Sequence, residues 1–441
     1  MDTIHAVSSG SLPAGVGVVR VSGPACRFIL ETTIGRIPPP RRAVLRSIRD
    51  RNGLLVDRGL VLWMPGPESF TGEDTIEFHV HGSRAVVRAL ARHLDGFDGV
   101  RAAEPGEFTR RAFLAGRIDL TEAEGLADLL AAETEAQRRQ ALDQAEGGLR
   151  RLYQSWRDRL VRIRALVEAD FDFAEEEDVP GSVADEAWAD AGRLRSEIAA
   201  HLADGHRGER LRRGFQVVVL GRPNAGKSSL LNALARRDAA IVTDEPGTTR
   251  DPIEVHLDLE GWPVTVVDTA GLREATGKVE AEGIRRAVER IAGADLVLWT
   301  RPCDDPGDDA AVPYLGGAAL WEVRTKADLG AFAGERLAGA TAVYDVSVAN
   351  GSGVAGRGSA LAAAAGGALC GVGAAPTRER HRSLLERASG EVVRALRPGS
   401  GEAGMRAEDL RRAGEAIGRV TGAIGVEDLL DVVFREFCIG K

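Results

Sequence analysis

The sequence predicts a multidomain protein with a small α+β domain, an all-α domain and an α/β domain inserted into the helical one. Three observations lead to this prediction. The 441 residues, 44% of them hydrophobic, suffice for two to four globular domains. The hydrophobic period changes from strand-like to helical near Asp119. A G-x-x-x-x-G-K-S match at 221–228 lies between a strand pattern and a helix pattern.

Residues 1–117 are predicted to form the α+β domain because short apolar runs alternate with turns. Runs at 15–21, 59–64 and 75–80 are predicted strands. Proline and glycine at 65–67 and 105–106 punctuate the segments between them.

The helical domain is predicted in two halves, 118–212 and 376–441, with the α/β domain at 213–375 between them. Six apolar residues recur at steps of three and four and mark one face of a long helix: Leu149, Tyr153, Trp156, Leu160, Ile163 and Val167. An acidic break at 175–181 ends that helix, and 187–202 predicts another. The Ala/Gly-rich stretch at 351–375 is interpreted as low-complexity helix and loop.

Composition disfavours several functional classes. A net charge of −9 argues against a broad nucleic-acid-binding surface, so any RNA contact is expected to be local or shared with a partner. The four cysteines lack metal-ligand spacing. Because there is no signal-peptide pattern and no long apolar run, the chain is expected to be cytoplasmic and not bound to a membrane.

The segment 221–228 predicts a phosphate-binding loop, since a strand-like run at 215–220 precedes it and a helix pattern at 230–234 follows. Backbone N–H groups at a helix N-terminus suit phosphate oxygens. Lys227 is expected to reach the β and γ phosphates, and the Ser228 hydroxyl to bind Mg²⁺. The expected GTP contacts here are Asn224, Ala225, Gly226, Lys227, Ser228 and Ser229.

Two later segments are expected to complete the phosphate and metal site. A threonine hydroxyl within 243–251 can close the Mg²⁺ shell while the γ-phosphate orders its loop. The strand at 264–267 ends in Asp268, which can hold Mg²⁺ through water, and the Gly271 amide can contact the γ-phosphate. The GTP contacts assigned to these segments are Thr243, Asp244, Glu245, Pro246, Gly247, Thr248, Thr249, Asp268, Thr269, Ala270 and Gly271.

The tetrapeptide T-K-A-D at 325–328 is interpreted as a guanine-recognition motif. Asp328 is placed to accept hydrogen bonds from guanine N1–H and N2–H, and the backbone at 347–349 to donate to O6. Thr325 stands where asparagine is usual, and a hydroxyl replaces only part of an amide's hydrogen bonding. Nucleotide affinity is therefore expected to fall by about 1 kcal/mol. The assigned contacts are Thr325, Lys326, Ala327, Asp328, Ser347, Val348 and Ala349.

Two features indicate the catalytic style. Position 272 is leucine, so the water-positioning glutamine of Ras is absent; Glu280 is the candidate replacement, although a solvated helix carboxylate explains it equally well. The side-chain carbonyl of Asn224 could help to bind a monovalent cation beside the phosphates, where K⁺ would act as an arginine finger does. Four arginines at 207–213 also have two interpretations, a solvated linker face and a tRNA contact.

Further motifs lie at both ends of the chain. They are D-T-I at 2–4, G-V-G-V-V-R-V-S-G at 15–23, T-G-E-D at 71–74, P-G-E-F-T at 105–109, R-A-F-L at 111–114, D-L-T-E-A-E at 119–124, E-D-L-L-D at 427–431 and F-C-I-G-K at 437–441. With these motifs and the nucleotide-site segments, the chain resembles the MnmE (TrmE) family of tRNA-modification GTPases.

The resemblance implies a folate-binding, homodimerising N-terminal domain, a helical domain and an inserted Ras-like P-loop GTPase domain that hydrolyses GTP with the help of Mg²⁺ and K⁺. It also implies a heterotetramer with the FAD-dependent partner MnmG (GidA). Together they would install an aminomethyl or carboxymethylaminomethyl group at C5 of the wobble uridine of certain tRNAs. The implied one-carbon donor is 5,10-methylenetetrahydrofolate, with 5-formyltetrahydrofolate as an analogue.

The resemblance also assigns individual residues. Folate contacts fall on Arg20, Glu77, Arg117 and Lys441; the K⁺ shell on Asn224, Thr243, the Glu245 backbone and Thr248; and Mg²⁺ ligands on Ser228 and Thr249. Arg117 replaces the family's more familiar lysine and keeps its charge but not its reach. Glu280 matches the family's catalytic glutamate. Cys438 is placed near the modification chemistry, although a cysteine so close to a chain end is more typical of a packed small hydrophobe.

Two other GTPase classes remain as alternatives. An Era- or Der-like ribosome-assembly GTPase would carry a basic RNA-binding module or a second G domain after the first, whereas this chain continues as mixed-charge helix. A membrane-linked GTPase is disfavoured because the tail C-I-G-K lacks the second aliphatic residue and the permissive last residue of a C-a-a-X box.

Overall fold

The computed structural model describes residues 2–172, 183–222, 224–235, 254–268, 293–304, 317–371, 373–397 and 403–425, together with residues 430, 433, 434, 437 and 440. The chain divides into two compact units, each discontinuous in sequence. The first comprises residues 1–127, 144–187 and 394–441, and the second comprises residues 128–143 and 188–393.

The first unit is built on a mixed six-stranded sheet in the order β3-β4-β5-β2-β1-β6. Its elements are β1 (Thr3–Val7), β2 (Ala14–Ser22), α1 (Cys26–Ile34), β3 (Val44–Arg49), β4 (Leu55–Met64), β5 (Thr75–Gly82), α2 (Arg84–Asp95), β6 (Val100–Ala102) and α3 (Glu107–Leu114). The predicted strands at 15–21, 59–64 and 75–80 lie within β2, β4 and β5 and are confirmed.

One face of this sheet forms the core with α1 and α2, and the other face is polar at its centre. Val19 and Phe78 are buried in one cluster with Ile29 of α1 and Leu90 of α2. Because successive strand residues point to opposite faces, Arg20, next to Val19, lies on the other face and is only half-buried. The alternation seen in the sequence thus separates a hydrophobic core from a polar row.

Most of helix α4 (Leu120–Ala131) and the whole of α6 (Gly148–Asp172) and α11 (Ala403–Thr421) complete the first unit. Helices α5 (Glu135–Ala145) and α7 (Val183–Arg213) belong mostly to the second unit. The six apolar residues predicted to share one face of α6 are all 3% exposed or less, which confirms that prediction. Helix α4 begins with a reciprocal cap. Asp119 Oδ1 accepts the Glu122 N–H at 2.8 Å, and Glu122 Oε2 accepts the Asp119 N–H at 2.6 Å.

The second unit contains a six-stranded sheet in the order β12-β11-β10-β7-β9-β8. Its strands are β7 (Phe215–Gly221), β8 (Glu254–Leu259), β9 (Trp262–Asp268), β10 (Leu296–Pro302), β11 (Ala319–Thr325) and β12 (Ala342–Asp345), with helices α8 (Lys227–Ala235), α9 (Val354–Leu369) and α10 (Glu379–Leu396). All neighbouring strands are parallel except β8 and β9. Strand β7 is buried on both faces, which is why its sequence is a continuous apolar run.

Two helices add detail to the sequence-based expectation. The Ala/Gly-rich stretch, interpreted as low-complexity helix and loop, contains the regular helix α9, because Leu361, Ala365 and Leu369 pack into the core of the sheet and outweigh the low helix propensity of its glycines. Helix α7 continues beyond the predicted residue 202 to Arg213, where Gly214 (φ +84°) turns the chain into β7. The predicted acidic break at 175–181 lies outside the described residues. Within the described segments, no helix is long and apolar enough to cross a membrane.

Candidate nucleotide-binding site

The loop between β7 and α8 requires glycine at its first position. Gly221 has φ +145°, and a Cβ there would lie 2.2 Å from Thr300 Oγ1. Thr300 in turn donates its hydroxyl hydrogen to the Leu220 carbonyl at 2.9 Å, so β10 lies directly against the start of the loop. Asn224 (φ 62°) and Gly226 (φ 81°) are also left-handed. The chain thereby turns sharply and directs backbone toward the N-terminus of α8, the geometry of an anion-binding loop.

Lys227 is the first residue of α8 and is folded back over this loop. Its Nζ donates to the carbonyls of Gly221 at 3.0 Å and Arg222 at 2.7 Å. The ammonium is therefore held beside the loop, where the positive end of the helix dipole also favours anions. Ser228 and Ser229 follow in the first turn of α8. The phosphate-binding part of the predicted site is thus assembled by one strand, one loop and one helix.

The T-K-A-D motif begins at the last residue of β11 and lies against the same loop. Thr325 Oγ1 donates to the Ala225 carbonyl at 2.7 Å, and both residues are buried. The Ser347 hydroxyl donates to Asp328 Oδ1, and the Ala327 N–H donates to the Val346 carbonyl at 3.1 Å. The structure therefore connects segments around 225, 325–328 and 346–347. Val348 and Ala349 follow Ser347 at the surface.

The structure describes only some of the remaining predicted GTP contacts. Asp268 ends β9 and pairs with Val219 of β7, so its backbone lies at the same carboxyl edge of the sheet as the loop. The predicted contacts outside the described residues are Thr243, Asp244, Glu245, Pro246, Gly247, Thr248, Thr249, Thr269, Ala270 and Gly271, together with the catalytic candidate Glu280.

A buried charged cluster supports the guanine motif, and sequence analysis missed it. Glu322 of β11 is fully buried, and its Oε1 accepts hydrogen bonds from Arg301 at 3.0 Å and Arg324 at 3.1 Å. Its Oε2 accepts the Leu337 N–H at 2.9 Å, and both guanidinium groups lie over the Phe332 ring. The cluster thus holds the segment after the T-K-A-D motif. The available signal was a glutamate within the apolar run at 319–323 of β11.

The expected folate residues Arg20 and Glu77 face each other on β2 and β5. Arg20 Nε and Nη2 donate to Glu77 Oε1 at 3.0 and 2.9 Å, and His79 Nε2 lies 3.1 Å from the other oxygen of Glu77. Burial by itself raises the pKa of the Glu77 carboxyl, but the hydrogen bonds and charges of His79 and Arg20 outweigh it and hold the pKa below its usual value. Glu77 is therefore an ionised carboxylate that is held in place by its neighbours on the sheet.

The other folate positions lie at the edges of the first unit. Arg117 has a guanidinium nitrogen 3.8 Å from Glu68, and its aliphatic stem lies near Gly72. Lys441 and Cys438 lie outside the described residues, but Gly440 is described. Its carbonyl accepts the Ser8 hydroxyl at 2.9 Å. Gly440 thus lies just beyond β1, the strand that pairs with the Arg20 strand.

A largely parallel sheet, a left-handed glycine loop closed by Lys227, and a base motif bonded to that loop define a P-loop nucleotide-binding protein with a guanine-type site. A family model described as the MnmE helical domain matches residues 120–438, and one described as the GTP-binding protein TrmE N-terminus matches residues 3–117.

Curated relatives match over the full length. The chain is 53% identical over 441 residues to the tRNA modification GTPase MnmE of Mesorhizobium japonicum, covering 100% of this chain and 99% of the relative. It is 51% identical over 443 residues to the protein of the same name from Brucella anthropi, covering 100% and 98%. The chain belongs to the MnmE family of tRNA modification GTPases, which confirms the family predicted from its motifs.

Proposed function

We propose that this protein is a K⁺-stimulated GTPase that acts with an MnmG-type, FAD-dependent partner on tRNA. The pair would install an aminomethyl or carboxymethylaminomethyl group at C5 of the wobble uridine, with a tetrahydrofolate one-carbon donor. The observation that supports this most is the direct bond between the phosphate loop and the guanine motif, Thr325 to Ala225, in a chain of this family. That hydrogen bond joins two segments that are 100 residues apart in the chain.

The described residues fit a Mg²⁺-bound guanine nucleotide. Lys227 would hold the β and γ phosphates, Ser228 would bind Mg²⁺ and Asp328 would accept the guanine N–H groups. Thr249 would be the second protein ligand of Mg²⁺, and Asp268 would act on the ion through water. The ion supplies charge that stabilises the transferring phosphoryl group.

The proposed K⁺ shell combines Asn224 with Thr243, the Glu245 backbone and Thr248. Asn224 is suited to this role because its left-handed backbone (φ 62°) places it at the bend of the loop. K⁺ would contribute positive charge next to the phosphates. With leucine at position 272, Glu280 is proposed to orient the attacking water, the task of glutamine in Ras.

The folate donor is proposed to bind to the polar row on the first sheet. The ionised Glu77 carboxylate could accept hydrogen bonds from the N–H groups of a pterin ring, and Arg20 holds it in place. Arg117 and Lys441 would attract the carboxylates of the folate tail. Cys438 lies two residues before Gly440, whose carbonyl is bonded to Ser8, which supports a place for this cysteine near the folate.

A homodimer is proposed through the outer face of the same sheet. Leu45 and Leu60 pair directly across β3 and β4, yet they are 49% and 42% exposed. Val16 on β2 is 54% exposed. Apolar side chains on an uncovered sheet face favour burial against another surface.

The proposed domain division is 1–117 for folate binding and dimerisation, 118–212 with 376–441 for the helical domain, and 213–375 for the GTPase domain. The protein is proposed to be cytoplasmic.

The decisive experiment is mass spectrometry of tRNA nucleosides from cells that lack this protein. The C5-modified wobble uridines should disappear and should return with the wild-type gene but not with Lys227→Ala. A normal set of modified uridines in the deletion strain would reject the proposal. Pull-down of the flavoprotein from the same cells tests the partner separately.

The K⁺ dependence is tested with the purified protein. GTP turnover should be faster in KCl than in NaCl at equal ionic strength, and Asn224→Ala should remove the difference while Asn232→Ala, in the middle of α8, should not. Equal rates for the wild type in the two salts would reject K⁺ stimulation. Glu280→Ala should slow hydrolysis while nucleotide affinity stays nearly constant.

A further inference from the structure

We propose that Thr325 makes this GTPase insensitive to guanine N7, so that the base is selected through its N1–H and N2–H edge. The inference rests on the proposed function, because it concerns how the same site selects its nucleotide. It starts from the hydrogen bond between Thr325 Oγ1 and the Ala225 carbonyl at 2.7 Å.

The direction of this bond is determined by chemistry. A carbonyl oxygen can only accept, so the Thr325 hydroxyl must be the donor, and a hydroxyl has one hydrogen to donate. That hydrogen is therefore committed to the phosphate loop. Guanine presents only acceptors, N7 and O6, on its other edge. Thr325 consequently has no donor left for that edge of the base.

Packing keeps the hydroxyl in this position. Thr325 is 3% exposed and Ala225 is fully buried, so turning the hydroxyl away would remove a hydrogen bond from a buried carbonyl. The side chain also lies flat against the loop, since a Cβ on Gly226 would be 3.5 Å from Thr325 Cβ and Oγ1. This packing and the hydrogen bond thus fix the Thr325 side chain against the phosphate loop.

The other side chains of the motif also supply no hydrogen-bond donor to the N7 edge of guanine. Lys326, the only other side-chain donor of the tetrapeptide, directs its Nζ to Asp304 at 2.9 Å. Asp328 has no donor when ionised, but it retains acceptor capacity after its bond from Ser347, because a carboxylate has about four lone-pair sites. Selection by the side chains of the motif therefore depends on Asp328 and the two N–H groups of guanine, while O6 is left to the backbone at 347–349.

An amide at this position would behave differently. Asparagine carries two N–H donors, so one could serve the Ala225 carbonyl while the other reached the base. Thr325 keeps the hydrogen bond to the loop but has no second N–H or O–H group to donate to the base. The site should accordingly tolerate a carbon at position 7 and reject a purine that lacks the 2-amino group.

Competition for a fluorescent GDP analogue bound to the full-length protein tests this inference. The competitors are GTP, 7-deaza-GTP and ITP, which lacks the 2-amino group. For the wild type we expect equal affinity for GTP and 7-deaza-GTP within about twofold, and ITP weaker by about tenfold or more, because an Asp328 lone pair loses its partner. These measurements need no variant, so they do not depend on how a substitution affects folding.

Thr325→Asn should create a preference for GTP over 7-deaza-GTP of about two- to tenfold, the value of one neutral hydrogen bond. The matched control Thr325→Ser keeps the hydroxyl and should retain the wild-type ratio.

A wild-type preference of tenfold for GTP over 7-deaza-GTP would overturn the inference, as would a folded Thr325→Asn protein with the wild-type ratio. Failure to bind any of the three nucleotides would instead reject the proposed function, so the two failures are distinguishable.

Discussion

Asp295 holds the junction between helix α7 and the parallel sheet by pairing with Arg210 at 2.9 Å. Its other carboxylate oxygen accepts the Gln216 N–H at 2.9 Å, and the Asp295 N–H donates to the Gln216 carbonyl at 2.9 Å. The aspartate is thus bonded to both the last turns of α7 and the second residue of β7. A carboxylate that is nearly buried and fully engaged in this way stabilises the entry of the chain into the GTPase sheet.

The basic cluster at 207–213, interpreted from sequence as a solvated linker face or a tRNA contact, includes Arg210 of this junction. These arginines lie on the last turns of α7 rather than in a linker. Arg207 pairs with Asp204 at 3.5 Å and Arg212 with Asp128 at 3.6 Å, as Arg210 does with Asp295. Three of the four charges are therefore balanced by neighbouring aspartates.

Asp295→Ala is expected to destabilise the second unit by about 2 kcal/mol, because it leaves the buried Gln216 N–H without its side-chain acceptor and Arg210 without its partner. Asp295→Asn, which can still accept from Gln216, should cost less. The measurement is urea unfolding followed by loss of bound fluorescent GDP. Equal losses for the two variants would show that the Gln216 bond contributes nothing.

Glu322→Ala should cost about 3–5 kcal/mol of the free energy of unfolding, because it removes the fully buried carboxylate that pairs with the guanidinium groups of Arg301 and Arg324. GTP affinity should fall as well, since the Leu337 N–H loses its acceptor just after the guanine motif. Urea unfolding measures the first effect, and competition of GTP with fluorescent GDP measures the second. Glu135→Ala, which removes an exposed partner of Arg138, is the control and should leave the unfolding midpoint unchanged.

Gly221→Ala should abolish nucleotide binding. Its φ of +145° is unfavourable for alanine, and the new Cβ would lie 2.2 Å from Thr300 Oγ1 and 2.5 Å from the Thr300 carbonyl oxygen, so the loop must shift. Gly356→Ala is the matched substitution in α9, where no atom lies within 4 Å of the new methyl group. It should raise stability by about 0.5–1 kcal/mol. Calorimetric titration with GDP and thermal unfolding of both variants test this contrast.

Stability should decrease when the pH falls from 6.5 toward 4, in part because of His201 on α7. Burial lowers the pKa of its imidazole to about 4, an effect that His381 reinforces and Asp204 opposes. The unfolded chain has a histidine pKa near 6.5 and therefore binds more protons in this interval. The stabilisation is fully present above pH 6.5 and is lost progressively toward pH 4, by about 3 kcal/mol at most.

Urea unfolding of the second unit at pH 7 and pH 5 tests this expectation. His201→Gln cannot take up a proton, so its loss of stability between the two pH values should be smaller than that of the wild type. An identical pH dependence in the variant would assign the effect to other groups.

Several features were predictable because they depend on residues close together in the chain. The apolar face of α6 follows from steps of three and four, and the strands β2, β4 and β5 follow from short apolar runs between turns. The bounds of helix α9 within the stretch interpreted as helix and loop were not predictable. Its alanines favour a helix and its glycines oppose one, and the burial of Leu361 and Leu369 against the sheet decides where the helix forms.

The candidate nucleotide site likewise has features that were predictable from sequence and features that only the fold decides. The glycine spacing, Lys227 and Asp328 predict phosphate and guanine chemistry from sequence, since each motif is contiguous. The presence of Thr325 in place of asparagine was also visible in the sequence, but the hydrogen bond that its hydroxyl makes was not. Only the structure shows that the hydroxyl donates to Ala225, 100 residues earlier, because chain folding alone brings those atoms together.

Sequence alone was therefore sufficient for the family and for a prediction of the chemistry that each motif carries. The tertiary structure decided which polar groups are already engaged: Thr325 with the loop, Glu322 with two arginines, Asp295 with Arg210. Hydrogen bonds and ion pairs act over a few ångströms in space, whatever the separation along the chain. Their assignment thus requires the folded protein, and it determines which groups remain available to a ligand.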